Sequence, residues 1–102
     1  MITKAPKALK NQIKQMATDP KYGGTLHQLS EIILGRFLAE KPYKKGYQWA
    51  VHAKDNILFN ILVSDALTQR VKLEAAKQEV PLLSFLLTAL TWWVEIKGKN
   101  HD

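Results

Sequence analysis

Apolar residues recur along this chain at helical spacing in several runs and form a short continuous run in one. Leu9, Ile13 and Met16, set among lysines between Lys7 and Ala17, predict an amphipathic helix opened by Pro6. Asp19-Pro20 and Gly23-Gly24 stop it. Thr25 is the expected N-cap of a second helix to about Glu40, with Leu26, Leu29, Ile32, Ile33 and Phe37 on its buried side. Lys41-Pro42 ends that helix, and Tyr43 to Asn56 mixes aromatic and basic residues as a linker or short strand. Ile57 to Val63 is apolar and β-branched and is closed by Ser64-Asp65, the pattern of a strand feeding a helix. Leu67, Val71 and Ala75 mark one face of that helix, and Pro81 opens a leucine-rich one through Glu95, with Trp92 and Trp93 in it. The tail at 96–102 is expected to fray.

The predicted order is helix, helix, linker, strand, helix, helix: a mainly α chain of one small domain. Residues 1–41 form an N-terminal half, 42–56 a linker and 57–95 a C-terminal unit. Aligning Ala5-Pro6-Lys7-Ala8-Leu9 with Val63-Ser64-Asp65-Ala66-Leu67 puts Ile13 over Val71 and Ala17 over Ala75. If the halves are copies, Met1 to Ala5 is a second, shorter strand. If they are not, the match reflects what any two amphipathic helical hairpins share.

Composition narrows the picture. With 102 residues and no cysteine, the fold has no disulfide or thiolate metal site to lean on and must be held by packing or self-association. The longest apolar stretch, Val80 to Val94, is interrupted by Ser84, Thr88 and Thr91 and falls short of the ~20 residues of a bilayer span. It reads as a buried helix, so no membrane role is expected. The basic start MITKAPKALK lacks an apolar signal core, which makes the cytoplasm the expected location. The net charge of +6 is concentrated: residues 1–55 carry ten Lys/Arg against four Asp/Glu, while residues 56–102 carry five of each. Such a field favours phosphate backbones or anionic surfaces, although a solvated lysine face gives the same composition.

Phe59-Asn60-Ile61-Leu62-Val63-Ser64-Asp65-Ala66-Leu67, a helix of about four turns, a break at Glu79-Val80 and a leucine-rich helix together resemble the ribbon-helix-helix family of the Arc and MetJ type. The resemblance covers Asn56 to Glu95. It implies that two strands pair antiparallel into a ribbon that enters the major groove of double-stranded DNA above a shared helical core. The second strand comes either from a homodimer partner or from Met1 to Ala5, in which case the chain is a single-chain pseudo-dimer of two strand-helix-helix units. Roles in the family include transcriptional repression and plasmid or mobile-element partition and conjugative transfer.

Strand alternation sends Phe59, Ile61 and Val63 to the core and Leu58, Asn60 and Leu62 outward, with Ile2 and Lys4 joining the outer face in the pseudo-dimer. Asn60 is the strongest base-reading candidate, since its amide both donates and accepts, as pairing with adenine requires. Leu58 and Leu62 depart from the polar residues expected of a reading strand. A strand buried on both faces is the competing interpretation. The resemblance also implies phosphate clamps at the start of the second helix of each unit, here Gly24-Thr25 and Val80-Pro81. The first looks competent. Pro81 lacks an amide hydrogen and Glu79 repels anions, so contacts should favour the N-terminal unit. Lys7, Lys10, Lys44 and Lys45 are supporting candidates.

His27, His52 and His101 are dispersed, so no metal is expected, and neither a nucleophile grouping nor a phosphate loop supports an enzyme or a cofactor. Tyr43, Tyr47 and Trp49 among lysines suit base stacking, but such residues more often close over a core. Two alternatives remain: a winged helix, if Tyr47 to Ala53 pairs with Ile57 to Val63, and a protein interaction module whose lysines serve only solubility.

Overall fold

The computed structural model describes residues 1–99, and the last three residues of the expected frayed tail lie outside the described residues. The chain is mainly helical, with a single two-stranded antiparallel sheet among those residues. Its order is β1 (Ile2–Ala5), α1 (Lys7–Ala17), a 3-10 turn (Pro20–Tyr22), α2 (Leu26–Glu40), a second 3-10 turn (Pro42–Lys45), β2 (Ile57–Asn60), α3 (Asp65–Lys77) and α4 (Leu82–Lys99). Strand, helix, helix therefore occurs twice. The stretch before β2 forms no strand, so β2 takes its partner from the other end of the chain and the winged-helix hairpin does not form.

The elements start and stop where local chemistry dictates. Pro6 sets the backbone just ahead of α1 and needs no amide partner there. Gly23 and Gly24 both take positive φ, 91° and 78°, which bends the chain from α1 into α2 at little steric cost. Thr25 caps α2 by accepting a hydrogen bond from Gln28 N at 3.1 Å, and Ser64 caps α3 by accepting one from Leu67 N at 3.3 Å. Between α3 and α4, Glu79 adopts φ 56°, and the Val80 amide closes back onto the Ala75 carbonyl at 3.1 Å. Pro81 lies just outside α4 rather than within its first turn, since its carbonyl accepts the bond from Phe85 N at 3.0 Å. At its other end α4 runs past Glu95 to Lys99.

The two halves superimpose in their burial pattern. α1 begins at Lys7 and α3 at Asp65, 58 positions later, and at that offset Leu9 and Leu67, Ile13 and Val71, and Ala17 and Ala75 are all buried. The second helices begin at Leu26 and Leu82, 56 positions apart. There Leu29 matches Phe85, Leu34 matches Leu90, and Phe37 matches Trp93, again all buried. The two halves thus share an element order and a burial register, with a longer turn between the helices of the first half. Helix α1 packs on both α2 and α4, and α3 packs on the same two, so the second helices form a central pair with a first helix on either side. The apolar side of α4 is consumed there. No single helix among the described residues is long and apolar enough to cross a membrane.

The linker is a strap over this core. Tyr43 and Trp49 stack on each other with centroids 4.7 Å apart, and both rings lie against Phe37 and Phe85. Polar ties fix the strap: Tyr47 donates to Glu95 at 2.8 Å, and the Ala50 amide donates to Thr88 at 2.8 Å. Glu74 is the strongest tie. Its carboxylate, 8% exposed, accepts from the Tyr43 hydroxyl, from Lys41 Nζ at 3.2 Å and from Gln78 Nε2 at 3.1 Å. The aromatic linker residues therefore serve the core.

These contacts make the strap sensitive to pH in a calculable direction. The hydrogen bond from Tyr43, reinforced by Lys41 and Gln78, holds the Glu74 carboxyl below its ordinary value against the opposing effect of burial. A carboxylate with a depressed folded pKa stabilises the protein above its unfolded value, about 4.3, and that contribution is lost as pH falls through the folded value. Burial, and then the bond to Glu74, raise the Tyr43 hydroxyl above its usual value. Its contribution is complete below about pH 10 and is lost as pH rises through the raised value. Glu74→Gln should therefore reduce stability at neutral pH and flatten the acid limb of a urea midpoint against pH profile. An unchanged acid limb would show that Glu74 does not carry it.

Candidate nucleic-acid interface

The sheet puts one face on the core and the other in solvent. Ile2 lies opposite Asn60, Thr3 opposite Phe59, Lys4 opposite Leu58 and Ala5 opposite Ile57. The ladder continues one position further, with the Ile61 amide donating to the Met1 carbonyl and the Met1 amino group donating to the Ile61 carbonyl at 2.7 Å. Thr3, Ala5, Phe59 and Ile61 are 0%, 0%, 1% and 1% exposed, which settles the inner face. Ile2, Lys4, Leu58, Asn60 and Leu62 are all exposed. The expected alternation therefore holds along β1 and from Leu58 onward in the second strand, although Ile57 at its start is exposed, and the strand buried on both faces is not present. Val63, expected inside, is only half-buried.

The sheet's position follows from ties to the helices. Thr3 Oγ1 donates to the Leu83 carbonyl at 2.8 Å, which sets the first turn of α4 beside β1. Glu31 in α2 accepts from the Ser64 amide at 2.9 Å, which sets this part of α2 beside the start of α3, four residues past β2. The N-terminus of α4 thus lies beside β1, while α2 is tied to the segment that follows β2. The first amides of such helices have no intrahelical acceptor and carry partial positive charge. At α2 these are Leu26 and His27, since the Thr25 hydroxyl already serves Gln28. At α4 they are Leu82, Leu83 and Ser84, and with Pro81 outside the helix its missing amide removes none of them. The α2 end is less purely cationic than the sequence suggests, because the Glu31 carboxylate stands 3.7 Å from His27 Nε2. Nothing in local sequence marks Glu31 for this place, since its partner Ser64 is far along the chain.

The expected cations divide into two groups. Lys4 projects from the exposed face itself. Lys7 is exposed in the first turn of α1, directly after β1. Lys10 reaches across to β2, donating to the Leu58 carbonyl at 2.9 Å with Nζ 5.5 Å from the Phe59 ring centre. These three charges gather along the sheet. Lys44 and Lys45 do not join them: their turn is fastened by Lys41 and Tyr43 to Glu74, ten residues and about 15 Å along α3 from Ser64. A separate group, Lys21, Arg36 and Lys97, lies over the Tyr22 and Trp93 rings at 4.7 to 5.8 Å, and Arg36 is paired with Glu40.

Chemically, the exposed face offers one amide, one ammonium and three branched apolar side chains, flanked by two further lysines and the N-terminus of α4. Among the described residues no group of three or more His, Cys, Asp or Glu is placed to hold a metal ion. Comparisons with protein-family models, curated proteins and solved structures returned no match to this chain.

Proposed function

We propose that this chain is a sequence-specific double-stranded DNA-binding protein of ribbon-helix-helix design that carries both strands of its ribbon in one polypeptide. A repressor or an accessory factor in plasmid or mobile-element partition or transfer is the role this design suits. The observation that carries the reading is the paired sheet, one face sealed onto the helices and the other bare, with Lys4, Lys7 and Lys10 beside it. A two-stranded ribbon has the dimensions of the major groove. Phosphates alongside would meet the lysines and the amides opening α4, which position a protein without reading sequence. Asn60 faces the base edges in this arrangement.

Titration of a fluorescent duplex at increasing salt tests the proposal. The cations and helix end beside the sheet correspond to a slope of log affinity against log salt of roughly −3 to −5. Absence of association at low salt would refute it. A second reading, a protein interaction module, is favoured by the exposure of Ile2, Leu58 and Leu62 and of Leu73 on α3, at 55%, 62%, 61% and 67%. It predicts association that salt barely affects.

A further inference from the structure

We infer that the exposed sheet face selects thymine-rich duplex by contact with thymine 5-methyl groups, an inference that rests on the DNA reading above. Ile2, Leu58 and Leu62 make up most of this face, and each exposes more than half of its surface. Folding gains nothing from that exposure. In the major groove the thymine methyl is the apolar feature, whereas a G·C pair presents only hydrogen-bonding groups there.

Register sharpens the match. Side chains two residues apart on a strand stand about 6.7 Å apart, close to two base-pair steps of 3.4 Å. Leu58 and Asn60 therefore sample positions two steps apart, as apolar and amide, and Leu62, just past the paired ladder, extends the apolar end. Ile2 lies directly opposite Asn60, which puts their Cβ atoms about 5 Å apart. An Asn60 amide paired with adenine N6 and N7 brings Ile2 toward the thymine of the same pair, whose methyl faces the same groove. Lys4, opposite Leu58, gives one end of the face a charge that Leu62 at the other end lacks. The favoured site is thus directional rather than palindromic. The lysines alongside match phosphates, and this complementarity favours a polyanion as the occupant over a second copy of this basic chain.

Fluorescence anisotropy at low salt with four duplexes tests this: A·T only, the same with uracil for every thymine, G·C only, and the same with 5-methylcytosine. Uracil removes the methyl alone, and 5-methylcytosine restores one in the groove of a G·C pair. The A·T duplex should bind tightest, the uracil duplex more weakly by about fourfold per methyl lost, the worth of one buried CH₂. Methylation should strengthen G·C binding. Ile2→Ala and Leu62→Ala alter only exposed groups and should leave the fold intact while shrinking the preference for thymine over uracil, which separates methyl contact from altered duplex stiffness. Equal affinity for thymine and uracil duplexes, with steep salt dependence retained, would overturn the methyl inference and leave the DNA reading standing. Failure to bind any duplex, or a dimer in sedimentation that Leu62→Lys dissociates, would overturn both.

Discussion

Replacing Phe37 by alanine is expected to lower the free energy of unfolding by about 3 to 5 kcal/mol, the largest effect of any single truncation considered for this chain. Phe37 is fully buried, and its ring centre lies 5.2 Å from Phe85, 5.3 Å from Tyr43, 5.5 Å from Trp92 and 6.3 Å from Trp49. It joins α2, α4 and the strap at one point. Truncation removes the transfer energy of the ring and the aromatic contacts, and it leaves a cavity that the tethered strap can only partly fill. Small domains have about 5 to 15 kcal/mol in total, so the variant should be partly unfolded at physiological temperature. Urea unfolding followed by tryptophan fluorescence measures this directly, because Trp49 and Trp92 report on the same cluster. A loss below about 1 kcal/mol would mean that the cluster contributes packing but not cohesion. Leu73→Ala is the control, since its side chain is 67% exposed and its truncation should change little.

The second large effect concerns binding. The triple variant Lys4→Ala, Lys7→Ala, Lys10→Ala should bind duplex roughly 100-fold or more weakly at low salt, with the salt slope reduced by about 2 to 3, one for each phosphate contact removed. Lys44→Ala with Lys45→Ala changes the net charge nearly as much yet should leave the slope within about half a unit of its original value, because that turn is fastened to the far part of α3. The contrast separates a placed interface from a general attraction of a +6 protein to a polyanion. Equal losses in the two variants would argue for general attraction.

How far the sequence discloses this molecule depends on the range of each interaction. Helix limits near Pro6, Thr25 and Ser64 are legible because caps and prolines act within one turn. The pairing of the Met1 to Ala5 segment with the second strand is legible only through the matched helical halves, since five residues carry little periodicity of their own. The offset that lays Ile13 on Val71 also places Ile2 on Asn60, the pair that face each other in the sheet. Tertiary features resist such reading. Glu74 occupies what a helix pattern marks as a polar position, and only the fold brings Tyr43 and Lys41 to bury and satisfy it. The positions of Lys44, Lys45 and Glu31 likewise depend on how distant segments meet. The route of the strap leaves no local signature, because an irregular segment buries its rings without a period.

The sheet joins residues 58 positions apart along one backbone, Ile2 with Asn60. When two strands of a ribbon belong to separate chains, pairing is an encounter between molecules and disappears on dilution. Here it is a loop closure, whose entropic cost grows only slowly with the length of the loop and is independent of how many copies are present. A cell holding a few molecules of this protein would hold as many completed sheets. Each half is also free to change without disturbing an identical twin, which is how Ile2 and Asn60 can occupy equivalent places and yet differ.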